Sequence, residues 1–177
     1  MALLRSVVGF LTFLVAFDFR RDGAPSWWFG IALVASMGST LLGAVVAPSL
    51  RLRFREEQIV AGSLALVAVT AFAMTQVEGR VAAVLLAAAV GLAASAARFA
   101  FDALVQRDAP DAVRGRSFAR FEAGFQLVWV VGALLPVVIT TPLRHGFAVV
   151  GAAAMLAGLA YLAGRRAVAR GLVPWTA

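Results

Sequence analysis

The stretch FDALVQRDAPDAVRGRSFARFEAGF, Phe101–Phe125, gathers aspartates, arginines and a glutamate between two long apolar runs. Two readings compete for it: a basic patch that holds nucleic acid, or a short polar connector at a membrane surface. Composition decides between them. The chain has 177 residues, of which 62% are hydrophobic and only 14% charged. A soluble domain is about 45–50% apolar and about 25% charged. A soluble chain of this size leaves much of its surface exposed, so it could not hide this much apolar side chain. The bilayer is the solvent that suits it.

Working outward from that connector, six runs approach the roughly 20 apolar residues that a spanning helix needs. They cover about 3–19, 28–48, 58–77, 80–105, 117–140 and 146–164. Leu, Ala, Val and Phe fill them without period-2 alternation, which excludes a β-barrel reading. The connectors are short, and Pro25, Pro48, Pro110 and Pro142 mark the breaks, as expected for a residue that ends helices. Spans three and four are so close that they should form a tight antiparallel hairpin. The expected fold is an all-α membrane protein, one six-helix domain over residues 1–177. A signal peptide at the N-terminus is the alternative for span one. However, its apolar core runs into AFDFRR and lacks a small-residue cleavage pattern.

Charge then sets orientation. All sixteen basic residues are arginine. Assigning connectors alternately to two sides puts Arg5, Arg51, Arg53, Arg55, Arg107, Arg114, Arg116, Arg120, Arg165, Arg166 and Arg170 on one side. Arg20, Arg21, Arg80 and Arg144 fall on the other, and Arg98 lies inside span four. That positive-inside bias predicts a plasma (cytoplasmic) membrane protein with both termini in the cytoplasm. Trp27 and Trp28 then sit at the outer interface, where indoles favour the headgroups. The arginines are divided among several loops and lack aromatic interleaving, so nucleic acid is not an expected partner. Contact with anionic lipid headgroups is an alternative role for any of them.

Enzyme chemistry finds little support. With no lysine there is no Walker A sequence and no Schiff base; with no cysteine there is no thiolate. His145 is the single histidine, in an expected outer loop. Glu56 and Glu57 are expected to balance the arginines beside them. Neither a cofactor nor a metal site is expected.

The informative residues are polar groups inside the spans. A charge at the centre of a membrane helix costs about 2.5–3.5 kcal/mol on insertion scales. Arg98 and Asp102 are four apart and can pair on one helix face. That face continues back through Ser95 and Gly91. Glu122 and Gln126 are likewise four apart on span five, with Trp129 next along. Span two offers Ser36, Thr40 and Gly43, and span one Gly9 and Thr12. These spacings belong to one helix face. Small residues there also serve simply to let helices approach. Pro136, inside span five, removes a backbone hydrogen bond to Gly132 and predicts a kink or a hinge.

These residues carry a resemblance. LVQRDAPDAVRGRSFARFEAGFQLVWVVGALLP looks like the connector and following helix late in transporters of the major facilitator superfamily. There a P-x-x-x-RGR loop joins the fourth and fifth helices of a half. Here it reads Pro110, Arg114, Gly115 and Arg116. GAVVAPSLRLRFREEQIVAGSL resembles the family's second-to-third loop. Pro48 stands roughly where its acidic residue would lie, and Arg51, Arg53 and Arg55 echo its basic cluster. LLRSVVGFLTFLVAF looks like the start of a carboxy-terminal half, helices seven to twelve.

The resemblance implies half of a major facilitator fold, a 3+3 inverted repeat. It implies a secondary transporter working by alternating access, whole only with an amino-terminal six-helix half or in a homodimer. The chain would then be a half that works with a partner, or a fragment of a full transporter. Arg98, Asp102, Glu122, Arg114 and Arg116 would form the gate and its ion network. Ser36, Thr40, Ser95, Gln126 and Trp129 would line the cavity, and Gly132 and Pro136 would form the helix kink. The apolar spans suggest a small amphipathic or hydrophobic solute, moved outward. A non-transporting membrane scaffold or assembly subunit is the alternative.

Overall fold

In a computed structural model of the chain, residues 1–77, 79–108 and 114–170 are described, without the side chains at 108, 114, 116, 117, 168 and 169. Among them are six helices and no strand: α1 (Ala2–Arg21), α2 (Trp27–Arg53), α3 (Glu56–Met74), α4 (Arg80–Asp108), α5 (Arg114–Val138) and α6 (Leu143–Ala169). All six are long and apolar enough to cross a membrane.

Each expected span is a helix, but several boundaries move. Pro48 does not end α2, which runs on to Arg53. The ring costs one backbone bond, to Ala44, which a membrane helix tolerates. At 27 residues, α2 is ~40 Å long against a hydrocarbon core of ~30 Å, so its last turns reach the interface. Arg114, Gly115 and Arg116 open α5 rather than lying in a loop. His145 sits exposed in the first turn of α6 instead of the preceding connector. Conversely, α3 stops at Met74, before Thr75 and Gln76. Two connectors turn on glycines with positive φ, Gly23 at 60° and Gly79 at 96°, which glycine adopts without a Cβ penalty.

The helices alternate in direction. Arg21 donates to the Thr141 carbonyl at 3.3 Å and Arg80 to the Asp22 carbonyl at 3.5 Å. The α1–α2, α3–α4 and α5–α6 connectors thus meet at one end of the bundle. The α2–α3 connector lies at the other end. The two groups of arginines expected on opposite sides do fall at opposite ends.

Four helices make the core. α1 packs on α4 and α6, and α3 on α4 and α6. Leu4, Leu14 and Phe19 of α1, Val67 of α3, Leu86 of α4, and Phe147 and Val150 of α6 are fully buried within it. The α3–α4 hairpin is tight, as the short connector requires. The other two helices flank this core: α2 lies along α4 and α5 along α1. Both flanking helices expose most of their apolar surface, including Leu33, Val34, Leu41 and Val45 on α2 and Leu127, Val131 and Val138 on α5. In lipid those faces carry no penalty.

Candidate functional site

Small residues fix the flanking helices. On α2, Ser36, Ser39 and Gly43 face Gly91 and Ser95 of α4. A Cβ placed on Gly91 would meet the Ser36 carbonyl at 2.6 Å and the Ser39 Oγ at 2.5 Å. One on Gly43 would meet the Ser95 Cβ at 2.7 Å and the Leu92 carbonyl at 2.8 Å. Between α1 and α5 the same device recurs: Gly9 lies against the Trp129 carbonyl and Gly132 against the Ser6 carbonyl. Close backbone approach of this kind is how membrane helices associate without a hydrophobic driving force. Gly132 is buried in that contact, Pro136 is buried one turn further on, and α5 continues through Pro136 to Val138.

The α4–α5 seam is different. The two helices barely pack backbone to backbone, and side chains bridge the gap. The Arg98 Nε donates to the Asp102 Oδ2 at 2.9 Å. Its Nη1 lies 2.6 Å from the Glu122 Oε2, an ion pair from α4 to α5. Glu122 also accepts from the Gln126 Nε2 at 3.2 Å. Beside this chain stand three phenylalanines. Phe101 meets Phe121 and Phe125 edge to face, at 5.4 and 5.3 Å between ring centroids. The Arg98 guanidinium lies 5.6 Å from the centre of the Phe125 ring, within cation–π range.

Arg98, Asp102 and Glu122 are thus brought together as expected from the sequence, and Gln126, expected to line the cavity, donates to Glu122. Arg5 was missed. It lies on α1, and its Nε is buried with no hydrogen-bond partner among the described residues. In the sequence it reads as one more end-of-helix arginine; only its position four residues into an apolar helix hinted otherwise. The side chains of Arg114 and Arg116 lie outside the described residues, and so does Pro110.

The cavity candidates divide. Ser36 lines a cavity of about 280 Å³ among α1, α2 and α4, together with Thr12, Val15, Phe29 and Val90. Thr40 is exposed and donates to the Ser36 carbonyl at 2.8 Å. Ser95 is buried in the α2–α4 contact. Trp129 is half-buried, edge-on to Phe13 of α1 at 6.2 Å.

A second ion cluster ties the ends of α2, α3 and α4. Arg51 reaches Glu56 at 3.6 Å, and Arg107 reaches Glu56 at 3.7 Å and Glu57 at 3.3 Å. Glu56 and Glu57 were expected to answer the arginines beside them in sequence. Of those only Arg51 pairs with them, and Arg107 comes from 50 residues away. Arg53 and Arg55 stay exposed, outside any ion pair among the described residues. Among those residues no group of three or more His, Asp or Glu side chains is placed to hold a metal ion.

No family model matches the chain. An uncharacterized protein of Mycobacterium leprae (strain TN) is 32% identical over 162 residues, which cover 89% of this chain. The chain spans 28% of that relative's length.

Proposed function

We propose that the chain is one six-helix half of a secondary membrane transporter of the major facilitator type, moving a small amphipathic or hydrophobic solute outward by alternating access. The observation that carries this reading is the pattern of helix pairing. Exchanging α1–α3 with α4–α6 turns α2 against α4 into α5 against α1, and α3 against α4 into α6 against α1. It leaves the α3–α6 and α1–α4 pairs unchanged. Such self-mapping is what an inverted repeat of two three-helix units produces.

The mechanism follows from the contrast between contacts. Each flanking helix is locked to one core helix by small residues, so α2 moves with α4 and α5 with α1. The α4–α5 seam, held by side chains, is where the α2–α4 pair and the α1–α5 pair part. Breaking Arg98 from Glu122 opens it. The solute would contact the largely apolar wall around Ser36, Thr12 and Phe29, which bears few polar groups for a sugar. A second six-helix unit, from the same or another chain or from a second copy, would close the site. The termini and the arginine-rich loops would face the cytoplasm.

The test is ethidium efflux from cells producing the native gene product, tagged at its carboxy terminus to report its size. Arg98→Ala and Glu122→Gln should each cut efflux at least tenfold at unchanged membrane abundance. Efflux equal to wild type in both variants removes the gate assignment. No ethidium flux, with other membrane proteins co-purifying, favours a scaffold instead.

A further inference from the structure

A cavity of about 380 Å³ opens between α2, α3 and α4, on the perimeter of the bundle and separate from the α4–α5 seam. It exists because α2 lies along α4 and hardly touches α3, which leaves a wedge. Its walls are Val46 and Leu50 of α2, Ile59, Gly62 and Leu66 of α3, and Leu92 of α4. Along α2 it runs from mid-helix, at Gly43, to the helix end at Phe54. That is ~15 Å, half of a ~30 Å hydrocarbon core. The groove is therefore about as long as one leaflet is deep.

Its mouth is basic. On α2 the groove face reads Gly43, Val46, Leu50 and Phe54, and Arg53 directly precedes Phe54 at that end of the helix. On α3 it reads Gln58, Ile59, Gly62, and one turn back is Arg55, whose backbone N–H is bound by the Gln58 side chain at 3.0 Å. Both guanidiniums are exposed and outside any ion pair among the described residues. The nearby Glu56 and Glu57 are engaged by Arg51 and Arg107, so they do not neutralise the mouth.

We infer that this groove binds one acyl chain of an anionic phospholipid, with the lipid phosphate held between Arg53 and Arg55. An apolar slot one leaflet deep fits a chain. Two unpaired guanidiniums at its headgroup end fit a phosphodiester, which accepts their paired N–H groups. A zwitterionic lipid offers the same chain but brings its own cation to the mouth. The inference does not depend on the chain being part of a transporter.

The experiment is native mass spectrometry of the full 177-residue chain released from nanodiscs made of equal parts phosphatidylglycerol and phosphatidylcholine. Wild type should retain one phosphatidylglycerol in preference to phosphatidylcholine. Arg53→Gln with Arg55→Gln should lower phosphatidylglycerol retention about 30-fold, from the known worth of two basic residues near a charged lipid, and leave phosphatidylcholine unchanged. Gly62→Leu should expel both lipids, because a side chain there enters open groove space. Gly38→Leu, an addition into open space outside the groove walls, should change neither. Equal retention of the two lipids by wild type overturns the inference, as does undiminished phosphatidylglycerol in either the arginine pair or Gly62→Leu.

Discussion

The α2–α4 contact and the α4–α5 seam share one helix, yet they are built from opposite materials. In the first, Gly91, Gly43, Ser36 and Ser95 bring two backbones together so closely that an added Cβ would strike a carbonyl. In the second, an arginine, two carboxylates and three phenylalanines span helices that hardly touch. The first kind of contact has one geometry, because backbone atoms cannot move aside. The second has alternatives, because long side chains can exchange partners without moving the helix that bears them. A bundle with both has rigid pairs and a joint between them.

That contrast can be broken most directly at Gly91. Gly91→Val should destabilise the detergent-solubilised protein by about 3 kcal/mol, the upper end for overpacking, whereas Gly38→Val, into open space, should stay within about 0.5 kcal/mol. Equal effects at the two glycines, read from thermal unfolding midpoints, would remove the distinction between locked and free faces of α2 and α4.

The seam should respond less, and in a coupled way. Arg98→Ala strips both Asp102 and Glu122 of their cation, and should cost about 2 kcal/mol, reduced from the fully buried case because all three side chains keep some exposure. In a Glu122→Gln background the same change should cost at least 0.5 kcal/mol less. Strict additivity in that double-mutant cycle would mean the 2.6 Å pair does not hold the seam. Smallest is the cluster at the helix ends. Arg107→Gln should shift stability by about 0.5 kcal/mol or less, and the difference should fade in high salt, since the Arg107 side chain is 54% exposed.

How far each feature could be read in advance depended on its range along the chain. The Arg98–Asp102 and Glu122–Gln126 pairs sit four residues apart, so helical geometry alone places them together. The α3–α4 hairpin follows from a connector too short for anything else. Pro48 misled because proline is a weaker helix breaker where neighbouring helices and a polar interface can take up the freed carbonyl. Glu56 and Glu57 misled because proximity in sequence puts Arg53 and Arg55 beside them, while the folded chain turns those two outward and brings Arg107 in. Ser36, Ser95, Gly43 and Gly91 could be assigned to one face each, but whether a face met a cavity or a neighbour was open until the neighbour was known.

By itself, then, the sequence determined the solvent, the number of helices, their alternation and the sorting of arginines between two ends. Each follows from hydrophobic length and charge counted along one dimension. Only the tertiary structure decided that Arg98 crosses to Glu122, that small residues lock α2 to α4 and α5 to α1, and that a groove remains beside α3. In lipid every apolar helix is equally at home on any side, so composition cannot choose neighbours. That choice falls to the shape of the facing surfaces, where a single missing Cβ decides which two backbones can meet.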